Sequence, residues 1–274
     1  MNAAADGLIR LLDLEMVGEN VFRGVSPSTH SQRVFGGQVL AQALVSATRT
    51  VPPTRHCHSL HAYFLRPGDP EVPILYEVDP SRDGGSFSVR RVAATQHGAQ
   101  IFVLAASFQK AESGFEHQVA MPAVPLPDDL PDADPSTLLQ GLWQSRPFQF
   151  RAVTPRGLAD RPARPALDHL WFRVPPTLDG DLGLHQAFLA FASDMSLLDT
   201  ALLPHGKGIL SNLQVASLDH AMWFHRSFRI DDWLLYSQES PSASGGRGFA
   251  RGLIFARDGT LVASVAQEGL IRPR

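Results

Sequence analysis

An internal repeat about 160 residues long narrows the possible folds of this chain more than any other feature. His58-Ser59-Leu60-His61-Ala62-Tyr63-Phe64-Leu65-Arg66 leads into Ile74-Leu75-Tyr76-Glu77, followed by Gly84-Gly85, Val89-Arg90-Arg91 and Gly98 ahead of Ile101-Phe102-Val103-Leu104-Ala105. The second half answers with Ala216-Ser217-Leu218-Asp219-His220-Ala221-Met222-Trp223-Phe224 and Arg226. Leu234-Leu235-Tyr236-Ser237, Gly245-Gly246, Ala250-Arg251 and Gly259 come next, ahead of Leu261-Val262-Ala263-Ser264. Arg66 and Arg226 lie 160 positions apart, as do Tyr76 and Tyr236; Gly84 and Gly245, like Gly98 and Gly259, lie 161 apart. Solenoid repeats run roughly 20–50 residues, so this is a duplicated domain. Two half-sheets joined in this way enclose one shared region, and a single copy suffices to keep any chemistry.

A length of 274 residues accommodates two such modules. Hydrophobic content of 44% and charged content of 19% are ordinary for a globular core. A net charge of −3 provides no general basic field for nucleic acid or a membrane surface. Lys110 and Lys207 are the only lysines, so the positive charge is nearly all arginine, whose planar fork suits phosphate. The single cysteine, Cys57, excludes an intrachain disulfide and fits a reducing compartment. Asp6, Arg10, Asp13 and Glu15 interrupt any secretory core at the N-terminus. No stretch is expected to approach the roughly 20 apolar residues of a membrane span, and the closing Ile271-Arg272-Pro273-Arg274 is not a peroxisomal address. The expectation is a soluble cytoplasmic protein.

Apolar spacing predicts helices over Ala4–Leu14, Gly36–Val45 and Leu184–Leu203, the last apolar on nearly every side and therefore buried. Strands are predicted over 58–65, 72–78, 87–94 and 101–108, with His97-Gly98 as a tight turn. They recur over 213–224, 233–239, 248–257 and 260–271, with Asp258-Gly259 as a hairpin turn. Between them, nine prolines from Pro122 to Pro165 argue against a continuous helix or strand, apart from a short helix at Ser136–Gln144. The expected organisation is an N-terminal module over 1–121, a proline-rich linker over 122–165 and a C-terminal module over 166–274. One helix followed by an antiparallel meander, twice, reads as α+β.

Asp194 stands out within Phe191-Ala192-Ser193-Asp194-Met195-Ser196-Leu197-Leu198, because a carboxylate among apolar neighbours loses hydration that partners must replace. It reads either as a structural carboxylate or as a catalytic one. Ser217 and Gln267 interrupt the first and last strands of the second module and are its candidate partners. Subtracting the repeat from Gln267 lands on Ala106, so the first module lacks that amide. Asp219 and His220 are strand neighbours facing opposite ways, and His220 and His225 also face apart. His56 and His58 have a spacing two strand ligands could share, but no third ligand is evident, and no metal is expected. Gly-x-Ser-x-Gly is missing, which argues against a serine hydrolase elbow. Gly245-Gly246-Arg247-Gly248 precedes a strand and reads as a turn.

Val34-Phe35-Gly36-Gly37-Gln38, the run from His58 to Gly68, Asp219-His220-Ala221-Met222-Trp223-Phe224-His225-Arg226 and the closing Val262–Gly269 resemble the acyl-CoA thioesterase II family. The resemblance spans nearly the whole chain outside the proline-rich middle. It implies a double hotdog, in which two helix-plus-antiparallel-sheet modules sit side by side. It also implies hydrolysis of fatty acyl-CoA to free acid and CoA with neither metal nor cofactor, in lipid and fatty acid metabolism. The family's catalytic residues match Asp194, Ser217 (threonine in some relatives) and Gln267, together holding a water. Gly36, Gly37, Gln38 and His58 become candidates for contacts to substrate or its oxyanion. The expected partners are an acyl-CoA substrate and further copies of the chain, as a dimer or tetramer, with no nucleic acid and no stable membrane insertion. Two alternatives remain. A hotdog enoyl-CoA hydratase-like lyase would want histidine where Asp199 stands, and a non-catalytic acyl-CoA binding protein would not need Asp194.

Overall fold

The repeat becomes one continuous antiparallel sheet whose midpoint is the junction of the two halves. The structure, a computed structural model, describes residues 3–27, 32–131, 147–155, 159–175 and 178–274. The first half contributes helix α1 (Ala3–Leu12), strands β1 (Glu15–Gly18) and β2 (Val21–Gly24) and helix α2 (Gly36–Thr48). The long strands β3 (Arg55–Phe64), β4 (Ile74–Asp83), β5 (Phe87–Gln96) and β6 (Ala99–Lys110) follow. The second half contributes β7 (Gln149–Ala152), β8 (Leu167–Arg173), α3 (Leu182–Ser193), β9 (Leu213–Ser217) and β10 (Asp219–Phe224), then β11 (Leu234–Ser244), β12 (Arg247–Ala256) and β13 (Leu261–Pro273). Across the sheet the order is β1-β2-β4-β5-β6-β3-β10-β13-β12-β11-β8-β7, with β9 alongside β13. Inward from each edge, the same sequence of elements recurs.

The register shows the same symmetry. Where β3 meets β10, His61 faces Ala221, two residues related by the 160-residue repeat. His61 also faces Ala105 on β6, while Ala221 faces Ala266 on β13, so the offset of 161 reappears on the outer strands. Local chemistry sets the hairpins. His97 (φ 50°) and Gly98 (φ 73°) take the two left-handed positions of a two-residue turn between β5 and β6.

Helices α2 and α3 are wrapped by the sheet and pack against each other, burying almost every residue of both. This is the α+β double hotdog that the resemblance implies. One apolar core runs through both halves, from Leu40, Leu44, Phe102 and Phe108 to Phe172, Phe188 and Ile254. On the other face of the second half, Trp171, Trp233, Leu235 and Phe255 form a smaller cluster capped by Met121, Val124 and Leu130. The Trp171 indole N–H donates to the Pro125 carbonyl at 2.9 Å, fixing that strap.

Four features depart from the sequence expectation. Edge strands β1 and β2 are too short to carry a period. β7 forms inside the proline-rich segment because it borrows a partner, β8, from outside it. The predicted helix Leu184–Leu203 ends as an α-helix at Ser193 and resumes as a 3-10 helix over Leu198–His205. Finally, Leu182–His205 is long and apolar enough by composition to cross a membrane, yet 83% of its apolar window is buried inside the protein. The helix expected at 136–144 lies outside the described residues.

Candidate active site

Three polar side chains from distant parts of the second half meet at the end of α3. Asp194 caps that helix (φ −84°, ψ −5°) instead of lying within it. Periodicity could not show this, because the apolar run continues across the break. Ser217 closes β9 and faces Gly269 on β13, which places Gln267 two residues away on the same face of the ladder. The Gln267 amide donates from Nε2 to Asp194 Oδ1 at 2.6 Å and to Ser217 Oγ at 2.9 Å. The Ser217 hydroxyl donates to Asp194 Oδ1 at 3.2 Å. Gln267 is fully buried, and its Oε1 has no protein partner among the described residues.

The first half supplies the remaining wall. Helix α2 begins at Gly36 with no side-chain cap, and the Gly37 N–H bonds the Asp194 carboxyl. A β-carbon at Gly36 would stand 2.7 Å from Asp194 Oδ2, and one at Gly37 would run into the Phe191 carbonyl. Glycine at both positions therefore lets the start of α2 touch the end of α3. The amide end of α2 favours a negative charge, whereas the carbonyl end of α3 opposes one.

Burial decides the balance. It raises the Asp194 carboxyl from its ordinary 3.8 to about 6, against the lowering pull of Gln267, Ser217 and the Gly37 N–H. Asp194 keeps some exposure as a residue, although protein closely surrounds its carboxyl group. Such a group is ionised at neutral pH and more basic than an ordinary aspartate, as a general base requires.

Other sequence candidates lie elsewhere. Gln38 is buried, but its amide donates to Ser26 Oγ at 2.9 Å and to the Val25 carbonyl, tying α2 to the chain after β2. His58 lies on the outer face of β3, where its Nε2 meets Ser107 Oγ at 2.8 Å and its ring meets Phe87 edge-on. Neither is brought to the carboxylate, and the alternation of β3 around a bulge between Cys57 and Ser59 is the reason for His58. Asp219 accepts from the Glu268 N–H at 2.7 Å, and His225 meets Ser264 at 2.8 Å. Asp199, where a hydratase-like site would want histidine, is paired with Arg161 at 3.1 Å. Sequence reasoning set His220 aside, but it points inward and bonds Ser193, the neighbour of Asp194. Among the described residues no three His, Cys, Asp or Glu side chains gather to hold a metal.

The equivalent region of the first half is filled differently. Cys57 stands at the counterpart of Ser217, Ala106 at that of Gln267, and Arg90 at that of Ala250. The Arg90 guanidinium is buried there, bonding Thr50 Oγ1 and the Thr50 carbonyl, each at 2.9 Å, just beyond the end of α2. A cation at that carbonyl end complements the helix dipole. In the second half, Ala250 faces Gln267 across the ladder and leaves that space to the polar set.

Comparison with known proteins is consistent over the full length. Residues 162–270 match the family described as acyl-CoA thioesterase, and residues 25–109 match the acyl-CoA thioesterase N-terminal domain. Acyl-CoA thioesterase 2 of Haemophilus influenzae is 42% identical, with 99% of each chain covered. Acyl-coenzyme A thioesterase 8 of Mus musculus is 44% identical over 96% of this chain and 88% of its own. The crystal structure of an acyl-CoA thioesterase II from Mycobacterium marinum superposes with a TM-score of 0.83 at 48% identity, covering 97% of this chain and 98% of that one.

Proposed function

The chain belongs to the acyl-CoA thioesterase II family of thioester hydrolases, and from that premise we propose that it cleaves fatty acyl-CoA to free acid and CoA with a water held by Asp194, Ser217 and Gln267. The observation that carries this reading is the Asp194 carboxyl, raised to about 6 and held on Oδ1 by both partners. Ser217 and Gln267 hold Oδ1, while Oδ2 lies against Gly36 at the start of α2.

In the reaction, the held water gives a proton to Asp194 as its oxygen attacks the thioester carbonyl. The carbonyl π electrons move to oxygen, which becomes the oxyanion. Collapse of that intermediate breaks the carbon–sulfur bond, CoA leaves as thiolate, and the proton passes to sulfur. Holding the water in line contributes as much as basicity, because it converts a bimolecular encounter into an oriented one. The oxyanion needs donors. The Gly37 N–H is engaged by Asp194 and the Gln38 N–H by the Phe35 carbonyl at 3.1 Å, so we assign this role to the Gly36 N–H at the open start of α2.

The test is release of free thiol from acyl-CoAs of graded chain length by the purified protein. Steady thiol release supports the reading. Binding without turnover would replace it with an acyl-CoA binding protein, and consumption of an enoyl-CoA without thiol would replace it with a lyase.

A further inference from the structure

We propose that His220 is a positioning residue of this site, holding the end of α3, and with it the Asp194 carboxylate, through Ser193. The inference rests on the hydrolytic reading above and adds a fourth side chain to it.

Strand alternation alone would not place both Ser217 and His220 on the inner face, since they are three residues apart. A bulge between β9 and β10 does so. Ser217 faces Gly269, but Ala221 faces Ala266, and the Leu218 N–H reaches the Glu268 carbonyl at 2.9 Å between them. The extra residue turns both side chains inward. Extending the β10–β13 register sets His220 beside Gln267, as close cross-strand neighbours. Both are fully buried.

His220 Nε2 lies 2.9 Å from Ser193 Oγ, whose own proton is directed to the Ala190 carbonyl, also at 2.9 Å. The imidazole is therefore assigned as the Nε2–H donor. The Tyr236 hydroxyl donates to the Ser193 carbonyl at 3.2 Å, so the last turn of α3 is pinned on two sides immediately before Asp194. Desolvation holds His220 neutral, with a pKa of about 3, and it brings no charge to the carboxylate.

Two observations separate this role from plain architecture. His220 Nδ1 has no partner among the described residues, and a buried polar atom left unmatched weakens a fold. The repeat also provides an internal control: the counterpart of His220 is Leu60, fully buried at the same place in the first half. This fold position accepts leucine where no site is present, and carries imidazole only where Ser217 and Gln267 replace Cys57 and Ala106.

The test compares His220→Leu, His220→Gln and Ser193→Ala with the intact chain, measuring kcat, KM, the acid limb of the pH profile and the thermal midpoint. His220→Leu should fold with an unchanged or higher midpoint, lose about 10- to 100-fold in kcat and keep KM within about twofold. Its acid limb should move above pH ~6, because the bonds from Gln267, Ser217 and Gly37 that lower the Asp194 pKa weaken when the carboxylate drifts. Ser193→Ala should reproduce this loss without adding to that of His220→Leu in the double variant. His220→Gln, which keeps a donor near Nε2, should recover most of kcat. Wild-type kcat and an unmoved acid limb in both His220→Leu and Ser193→Ala would overturn the proposal, as would losses that merely track the midpoint in all three. Failure of the intact chain to release thiol would instead refute the hydrolytic reading on which the proposal rests.

Discussion

Replacing Asp194 by asparagine keeps the side-chain shape and removes the charge, which separates what the carboxylate costs the fold from the catalytic role proposed for it. The folded chain holds the Asp194 proton with a pKa of about 6, against an ordinary 3.8. A carboxyl with a raised folded-state pKa binds its proton more tightly when folded, so stability is lost as pH rises from 3.8 through about 6. The gap corresponds to about 3 kcal/mol at neutral pH, from ~1.4 kcal/mol per tenfold. The residual exposure of Asp194 trims it, so Asp194→Asn should be more stable than the parent by roughly 1–3 kcal/mol at pH 8. Asparagine does not ionise, so the difference should narrow as pH falls through about 6 and vanish near 3.8. Urea unfolding followed by tryptophan fluorescence at several pH values measures it, and thiol release by the same samples should be lost. A variant no more stable than the parent at pH 8, or a difference that ignores pH, would show that the carboxyl is not desolvated in solution. The basic carboxylate on which the proposed hydrolysis rests would then be lost as well.

Gln267→Ala removes the 2.6 Å donor to the carboxylate and should lower kcat by about 100-fold, with the acid limb moving upward because that bond holds the Asp194 pKa down; thiol release against pH reads both. Gly36→Ala places a methyl group 2.7 Å from Asp194 Oδ2 and 2.9 Å from the Phe64 ring, both side chains, and should cost kcat with a smaller fall in melting temperature than Gly37→Ala. Gly37→Ala meets the Phe191 backbone carbonyl, which cannot move aside, and should lower the melting temperature as well; equal melting temperatures for the two variants would contradict the close approach of the helix ends.

The polar set occurs once in a chain whose fold occurs twice, and the packing shows why the first half retains no second copy. With Arg90 in the space that Ala250 leaves open, and with Cys57 and Ala106 in place of the hydroxyl and amide, the region closes into structure. Burial pushes the Cys57 thiol pKa well up, so it offers no thiolate in exchange.

Much of this was legible in the sequence, because repeat spacing, apolar period and turn residues are local signals with local causes. The duplicated module, the wrapped helices, the His97-Gly98 hairpin and the oddity of Asp194, Ser217 and Gln267 all follow from such signals. What they could not encode is where chain segments far apart in sequence come to rest. Asp194 and Gln267 are 73 residues apart and meet only because β13 lies beside β9. The amide end of α2 reaches the carboxylate only because two glycines let helices from different halves touch. The bulge that turns His220 inward is one extra residue, Leu218, and it leaves no mark on the apolar pattern. Sequence alone determined which residues were out of place in a core. Tertiary structure decided what they face, since desolvation, helix-end fields and hydrogen-bond direction exist only once the two halves are packed together.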